Sequence, residues 1–281
     1  MPASDYICPS DDVMKVATTW NSSCKIELPV HLRGALSRPD NYLSPGACMN
    51  NIIATVLTFA IALSWLRIMD FCAQRGWIDS RLSRKIIHIG TGPIYVLCWL
   101  MFQDTPDARW LAALVPLGIT VQFALVGLGV MKDEASVQAM SRTGDRREIL
   151  RGPLYYGIVF VALTLIFWKT SPTGIVALML MCGGDGIADL VGRRVRSPKL
   201  PWSKEKSVAG SASVFVGGFV LAAFVLGIYV AVGVFAAPFS RYLVALGLVA
   251  LLGMLVESLP YKDIDNITLT VAVAIAGFFL F

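Results

Sequence analysis

Residues 208–237 read VAGSASVFVGGFVLAAFVLGIYVAVGVFAA, and this run of thirty residues contains no charged side chain. About 20 consecutive apolar residues in a helix cross the hydrocarbon core of a bilayer, which is roughly 30 Å thick. An apolar run of this length is typical of a transmembrane helix and too long for a helix buried in a soluble domain. The stretch therefore predicts a membrane protein.

The composition of the whole chain supports this prediction. Of its 281 residues, 56% are apolar and 15% are charged, and the mean hydropathy is +0.66. A soluble domain carries about 25% charged residues, so this chain cannot cover a water-facing surface. A disordered protein and an ordinary soluble enzyme are excluded. The net charge of +5 is divided among short segments and forms no long basic face, so no nucleic-acid partner is expected.

Seven further apolar segments have the length and composition of membrane-spanning helices. They predict an all-α polytopic bundle of about eight transmembrane helices, with seven to nine acceptable. The predicted spans are residues 51–66, 86–102, 110–131, 153–168, 173–191, 208–237, 242–259 and 267–281. We expect a single membrane-embedded domain over residues 51–281, preceded by a polar tail over residues 1–50. The tail fits either a disordered segment or an atypical leader, because transit peptides are poor in acidic residues and it contains five.

Basic residues are concentrated in alternate loops. Residues 67–85 contain five, residues 132–152 contain five and residues 193–206 contain six, whereas each loop between them carries one. An eight-helix topology places these three segments on the same side, which the positive-inside rule assigns to the cytoplasm-equivalent face. The acidic segment 260–266 falls on that side as well.

Two carboxylates lie inside the predicted span 173–191, where an ionisable residue costs about 2.5–3.5 kcal/mol on insertion scales. Asp185 and Asp189 are four residues apart, so they share one face of a helix. Two such carboxylates repel unless they share a proton or a divalent cation, and we predict that this pair binds a metal ion. The structural alternative is that one caps a helix end while the other pairs with Arg193.

Glycines and basic residues surround this pair. Gly183, Gly184 and Gly186 bracket Asp185 and would let backbone N–H groups approach a phosphate, although small residues also serve helix packing in membranes. Carboxylates followed by clustered Arg and Lys are the elements that hold a nucleoside triphosphate through Mg²⁺. An ordinary positive-inside loop explains only the basic residues. The predicted nucleotide-binding residues after the carboxylates are Gly192, Arg193, Arg194, Lys204, Ser207 and Gly210.

A second acidic cluster follows the seventh predicted span. Glu257 precedes Asp263 and Asp265, and the topology places all three on the same side as Asp185. The alternative is a solvated loop with a helix N-cap at Asp265 or Asn266. We predict that Glu257 is catalytic, together with the carboxylate pair and Lys206.

The sequence resembles the polyprenol kinase family, and within it the plant and cyanobacterial phytol and farnesol kinases. The resemblance runs from about residue 70 to the C-terminus. It is carried by GGDGIAD at 183–189, GRR at 192–194, KSVAGS at 206–211, SRKIIH at 83–88, GPLYY at 152–156 and VESLP at 256–260. Asp185, Ala188 and Gly192 also match the CTP-binding pattern of the wider family.

The resemblance implies an enzyme of a chloroplast membrane that moves the terminal phosphoryl group of CTP to a long-chain isoprenoid alcohol. The alcohol would be phytol, farnesol or geranylgeraniol, and the product would feed tocopherol and prenyl-lipid salvage. For the apolar tail we expect lipid-facing grooves between helices and no dedicated pocket.

Phosphoryl transfer depends mostly on positioning and charge neutralisation. We therefore expect Asp185 and Asp189 to hold Mg²⁺, and the basic residues Lys206, Arg193 and Arg194 to contact phosphate oxygens. The general base is predicted to be Asp185 or Glu257. His88 is a further candidate, although a lone histidine after two basic residues is more often an interfacial hydrogen-bonding residue.

Three other function classes fit parts of the pattern. CTP:phosphatidate cytidylyltransferases use similar acidic and basic elements but transfer CMP and release pyrophosphate. A transporter of anionic solutes could use Asp185 and Asp189 as an ion relay, but the inverted repeats typical of such proteins are not evident. A purely structural membrane subunit leaves the carboxylates unexplained.

Overall fold

A computed structural model describes residues 49–141, 143–261 and 264–281. The tail predicted for residues 1–50 lies almost entirely outside these ranges, as does Asp263. The helices are α1 (Asn51–Gln74), α2 (Ser80–Cys98), α3 (Ala108–Leu128), α4 (Glu134–Met140), α5 (Gly152–Ile166), α6 (Pro172–Met179), α7 (Gly186–Arg194), α8 (Val208–Ala231), α9 (Ser240–Glu257) and α10 (Asp265–Leu280). A short antiparallel hairpin, β1 (Lys199–Leu200) and β2 (Ser203–Ser207), joins α7 to α8.

Each of the eight predicted spans coincides with helical structure, which confirms the all-α membrane bundle. Six helical segments are long and apolar enough to cross a membrane by length and composition alone: Asn51–Gln74, Ala108–Leu128, Arg146–Ile166, Pro172–Arg194, Val208–Ala231 and Ser240–Glu257. The predicted spans 86–102 and 267–281 do not meet this standard. The reason is that α2 begins with a turn containing Arg81, Arg84 and Lys85, and α10 has only 16 residues.

The predicted span 173–191 is interrupted rather than a continuous α-helix. After α6 the chain forms a π-helical turn over Leu180–Asp185 and then resumes as α7. Such turns occur mostly as single insertions in α-helices and are frequent at functional sites. The interruption ends at Asp185, the first of the two predicted carboxylates.

The centre of the bundle is α6. All of its residues are buried, and burial continues through the π-turn to Gly184. It packs against α5, α8 and α10, so it faces other helices on every side and its sequence is apolar all round. The continuous buried segment therefore ends at Gly184, directly before Asp185.

The outer surface of the bundle is apolar. On α8, Val216, Val220 and Phe224 recur every four residues and are 57%, 59% and 60% exposed. This spacing places them on one face of the helix. A continuous exposed stripe of this kind suits contact with lipid and would promote aggregation in water.

Candidate active site

A polar cavity of about 460 Å³ lies where α2, α8 and α10 begin and α9 ends. Its walls come from all four segments that the charge pattern places on one side of the membrane. Its basic lining residues are Arg81, Arg84, Lys85, Arg193, Lys199 and Lys206, and its acidic ones are Asp185, Asp189, Glu205, Glu257 and Asp265. The fold thus brings the first basic segment, at the start of α2, to the predicted carboxylates, a contact that the sequence analysis missed.

The glycines of the first motif serve close helix packing. A Cβ atom built on Gly183 would lie 3.0 Å from the carbonyl oxygen of Gly217, and one on Gly184 would lie 3.0 Å from Val214. One on Gly186 would overlap a side chain of α2. Small residues at these positions let α8 and α2 approach the π-turn closely. Phosphate binding by the three glycines stays a prediction.

Two nitrogen atoms from α2 contact the carboxylate of Asp185. Its Oδ2 is 3.6 Å from Nζ of Lys85 and 3.3 Å from Nε2 of His88. The same His88 nitrogen is 3.1 Å from the carbonyl oxygen of Met181, and a carbonyl oxygen can only accept, so this nitrogen carries a hydrogen. Lys85 and His88 therefore hold Asp185 in place, and the SRKIIH segment was the only sequence signal for this role.

Asp189 has a different set of contacts. Its Oδ1 accepts a hydrogen bond from Nε of Arg193 at 2.7 Å, and its Oδ2 is 4.0 Å from Nζ of Lys85. The pair with Arg193 is the structural alternative considered for this residue. The Arg193 side chain is 62% exposed, and exposed pairs of this kind contribute little to stability. A metal-binding role for Asp189 stays a prediction.

Three carboxylates that are distant in the sequence meet in the polar cavity. One oxygen from each of Asp185, Glu257 and Asp265 lies within 4.8 Å of the others. Glu257 is the last residue of α9 and is only 7% exposed, while Asp265 is the first residue of α10. Glu257 and Asp265 were both predicted to lie on the same side of the membrane as Asp185, and Asp265 was considered only as a helix N-cap.

The hairpin β1–β2 delivers Lys206 to this cluster. Nζ of Lys206 is 2.8 Å from Oε1 of Glu257 and also donates to the Glu257 backbone carbonyl. The indole N–H of Trp202 donates to the carbonyl oxygen of Ser258 at 3.0 Å, which ties the hairpin to the end of α9. The hairpin was not predicted, because its two strands are too short to show an alternating apolar pattern.

The remaining predicted nucleotide-binding residues divide into two groups. Gly192, Ser207 and Gly210 line the polar cavity, where a Cβ atom on Gly210 would lie 3.4 Å from Cα of Gly192 and α7 contacts α8. Ser207 also caps α8 by accepting a hydrogen bond from the Gly210 N–H at 3.2 Å. Arg194 and Lys204 are exposed and do not line this cavity.

A second cavity, of about 230 Å³, lies between α1, α2, α3 and α5. Its lining is mainly apolar and includes Ala62, Leu66, Ile87, Val115, Phe123 and Phe160. The structure therefore differs from the expectation of lipid-facing grooves alone. Apolar residues that face a cavity and apolar residues that face lipid give the same sequence pattern, which is why the pattern did not reveal an internal space.

Tyr95 closes the far end of this apolar cavity along α2. Its hydroxyl is 3.1 Å from the carbonyl oxygen of Ala112 and 3.0 Å from Oγ1 of Thr164, and its ring packs against Phe160. Tyr95 is ten residues after Lys85, which corresponds to about 15 Å along the helix axis. The lining of the cavity therefore follows α2 for about 15 Å, from the charged residues at the start of the helix to Tyr95.

The polar and the apolar cavity share four residues, namely Arg84, Lys85, Asp185 and Asp265. A polyanion in the first cavity and an amphiphile in the second would meet at these charged groups. The arrangement suits the transfer of a charged group to the polar end of an apolar molecule.

Comparison with curated proteins identifies close relatives over most of the chain. The chain is 43% identical to a probable phytol kinase, chloroplastic, of Triticum aestivum, over 81% of this chain and 77% of the relative. It is 42% identical to probable phytol kinase 1, chloroplastic, of Oryza sativa subsp. japonica, over 84% and 76%. It is 36% identical to farnesol kinase, chloroplastic, of Arabidopsis thaliana, over 95% and 87%.

No family model and no solved structure matches the chain. The relatives nevertheless match between 81% and 95% of this chain. On this basis the chain belongs to the phytol kinase and farnesol kinase family, whose members are phosphotransferases with an alcohol acceptor.

Proposed function

We propose that the chain is a CTP-dependent kinase of a chloroplast membrane that converts a long-chain isoprenoid alcohol to its monophosphate. Phytol, farnesol and geranylgeraniol are the candidate acceptors, and the product would feed tocopherol and prenyl-lipid salvage. The observation that carries this proposal is the junction of a polar and an apolar cavity at Arg84, Lys85, Asp185 and Asp265.

The triphosphate of the donor occupies the polar cavity in this proposal. Basic residues from α2, α7 and the hairpin line this cavity, and phosphoryl transfer needs such groups around the phosphates. The match of Asp185, Ala188 and Gly192 to the family's CTP-binding pattern supports CTP as the donor. Lys85 contacts Asp185 and Lys206 contacts Glu257, and both lysines would neutralise charge on the transferring group.

The hydrocarbon tail of the alcohol occupies the apolar cavity. A CH₂ group gains about 0.8 kcal/mol when it leaves water, but the bilayer already provides this gain. Transfer of the tail from lipid to the cavity is therefore favourable only if the cavity packs more closely around it than lipid does. Its hydroxyl then lies at the start of α2, beside Lys85 and Asp185. Entry from the bilayer suits this amphiphilic substrate.

The reaction joins the hydroxyl oxygen of the alcohol to the terminal phosphorus of CTP. The bond from that phosphorus to the bridging oxygen breaks, and CDP leaves with the bridging oxygen. The hydroxyl proton passes to a carboxylate within reach. Asp185 lines both cavities, whereas Glu257 lines only the polar one, so the geometry favours Asp185 for this role.

We propose Mg²⁺ as the cofactor. When bound to the triphosphate, this ion neutralises charge and orients the terminal phosphate. The carboxylates of the polar cavity are the oxygen ligands that Mg²⁺ prefers. Both members of the predicted pair, Asp185 and Asp189, line that cavity.

The proposal is tested with membranes that contain the expressed chain. They receive CTP or ATP labelled at the terminal phosphate, Mg²⁺, and phytol, farnesol or geranylgeraniol in turn. The expected result is label in an organic-soluble monophosphate, with CTP as the better donor.

A parallel reaction uses CTP labelled at the α-phosphate. Label from this position in a lipid product, with release of pyrophosphate, would show a cytidylyltransferase instead. Failure to label any alcohol with folded protein would also contradict the kinase proposal.

A further inference from the structure

We infer that Asp185, Glu257 and Asp265 together form the divalent-cation site, and that Asp189 lies outside it. This inference rests on the proposed function, because it assigns the ligands of the ion that accompanies the donor. It replaces a pair of carboxylates on one helix face with three carboxylates from three separate elements: the π-turn, the end of α9 and the start of α10.

The spacing of the three carboxylates suits an ion of this size. One oxygen from each residue lies within 4.8 Å of the other two. Mg²⁺ binds oxygen at about 2.0–2.1 Å, so ligands on opposite sides of the ion are about 4.2 Å apart. Adjacent ligands of an octahedral ion are about 2.9 Å apart, so the carboxylate oxygens would approach one another by up to about 2 Å on binding the ion.

Glu257 supplies an observation that is independent of this spacing. Its side chain is only 8% exposed, and its Oε1 is paired with Lys206. Its Oε2 is buried and has no hydrogen-bond partner among the residues that the structure describes. A buried carboxylate oxygen without a partner is costly, and a cation in the cluster would supply the missing interaction.

Asp265 is also available to a cation. Within the described ranges, its carboxylate accepts a hydrogen bond from the Asn266 N–H at 3.1 Å and forms no ion pair. Asp189, in contrast, is bonded to Arg193 at 2.7 Å and lies 4.0 Å from Lys85. A metal ion at Asp189 would compete with Arg193 for Oδ1 or with Lys85 for Oδ2, whereas one at Asp265 would compete only with a backbone N–H among the contacts described.

The location of the cluster fits its proposed role. Asp185 and Asp265 line both cavities, and Glu257 lines the polar one. A cation held by these three residues would therefore lie where the terminal phosphate of the donor meets the alcohol. Lys206, which contacts Glu257, would stand beside the same phosphate.

The test measures binding of Mn²⁺ as a probe to the purified full chain in lipid nanodiscs, without nucleotide, from the electron paramagnetic resonance signal of free Mn²⁺. Loss of a second-shell group already weakens metal binding about 10- to 100-fold, so loss of a ligand should cost at least about tenfold. We expect losses of this size in Glu257→Gln and Asp265→Asn. The matched variant Asp189→Asn should change Mn²⁺ affinity by less than about twofold.

Asp265→Glu keeps a carboxylate and should retain most of the affinity that Asp265→Asn loses, which separates ligation from a folding defect. Equal Mn²⁺ affinity in wild type, Glu257→Gln and Asp265→Asn would overturn the inference, as would a large loss in Asp189→Asn alone. A wild-type chain that binds no Mn²⁺ would overturn it as well, because Lys206 alone would then neutralise the Glu257 carboxylate. Kinase activity is measured separately in wild type, so the proposed function can stand or fall independently of the ligand assignment.

Discussion

The polar and the apolar cavity meet at the same four residues, but they are built in different ways. The polar cavity collects charged residues from loops and helix ends, and most of these belong to short motifs. The apolar cavity is formed mainly by the inner faces of four helices, and apolar residues make up most of its lining. Charged residues are rare in a membrane-spanning chain, so a site built from them can be recognised in the sequence. Apolar residues are common in such a chain, so a site built from them cannot be recognised in this way.

The largest effect should come from the carboxylate that the two cavities share. Asp185→Asn keeps the size of the side chain but removes its charge, and we expect kcat with any alcohol to fall by about 10²- to 10⁴-fold. The measurement is transfer of the terminal phosphate in membranes with matched protein content.

Asp107→Asn is the matched control for this variant. Asp107 is exposed at the start of α3 and lines neither cavity, so it should retain near-wild-type activity. Near-wild-type activity in Asp185→Asn would show that Asp185 takes no part in phosphoryl transfer. The junction of the two cavities at this residue would then have no catalytic role.

The carboxylates also show which parts of the site can be predicted from the sequence and which cannot. The cost of a charge inside a membrane span singled out Asp185 and Asp189 without any structure. The cluster with Glu257 and Asp265 depends on how α9 and α10 return to the π-turn, and no local pattern encodes that return. Helix positions were therefore predictable from hydropathy, while contacts between helices were not.

A variant of the hairpin should affect the polar cavity alone. Lys206→Ala removes a cation beside Glu257, and we expect the KM for CTP to rise by about 10- to 100-fold, since hydrogen bonds to charged groups contribute about 1.5–3 kcal/mol. The KM for the alcohol should change much less.

Lys204→Ala is the comparator for this variant, because Lys204 lies on the same strand, is exposed and does not line the polar cavity. The structure predicts a smaller rise in the KM for CTP, although both lysines were predicted ligands. Equal effects of the two substitutions would show that the hairpin moves when the donor binds.

A substitution in the lining of the apolar cavity should change the preference among alcohols and leave CTP binding unaffected. Phe160→Leu creates space beside Tyr95 at the closed end, and we expect the ratio of kcat/KM for geranylgeraniol over farnesol to rise by about tenfold, because an apolar pocket discriminates by about 1–3 kcal/mol per methylene. The KM for CTP should stay constant.

Phe102→Leu, at an equally buried phenylalanine outside both cavities, should leave the ratio unchanged. An unchanged ratio in Phe160→Leu would mean that the tail does not reach Tyr95.

The hairpin itself had no sequence signal beyond its lysines. Its strands contain two and five residues, and the alternation of burial along Ser203–Ser207 is incomplete. The hairpin is held by contacts across 51 and 56 residues, from Lys206 to Glu257 and from Trp202 to Ser258. Chain-distant hydrogen bonds of this kind decide where Lys206 lies, and hydropathy and charge patterns carry no information about them.

The smallest effect should follow from loosening the contact between Trp202 and Ser258. Trp202→Phe keeps an aromatic ring but removes the indole N–H that donates to the Ser258 carbonyl, and a single neutral hydrogen bond contributes about 0.5–1.5 kcal/mol. We expect the KM for CTP to rise by about two- to fivefold, with no change in the preference among alcohols. Trp110→Phe, at an exposed tryptophan of α3, is the matched control. A change in alcohol preference in Trp202→Phe would show that the hairpin also governs the apolar cavity, and the two cavities would then have to be treated as one site that responds as a unit.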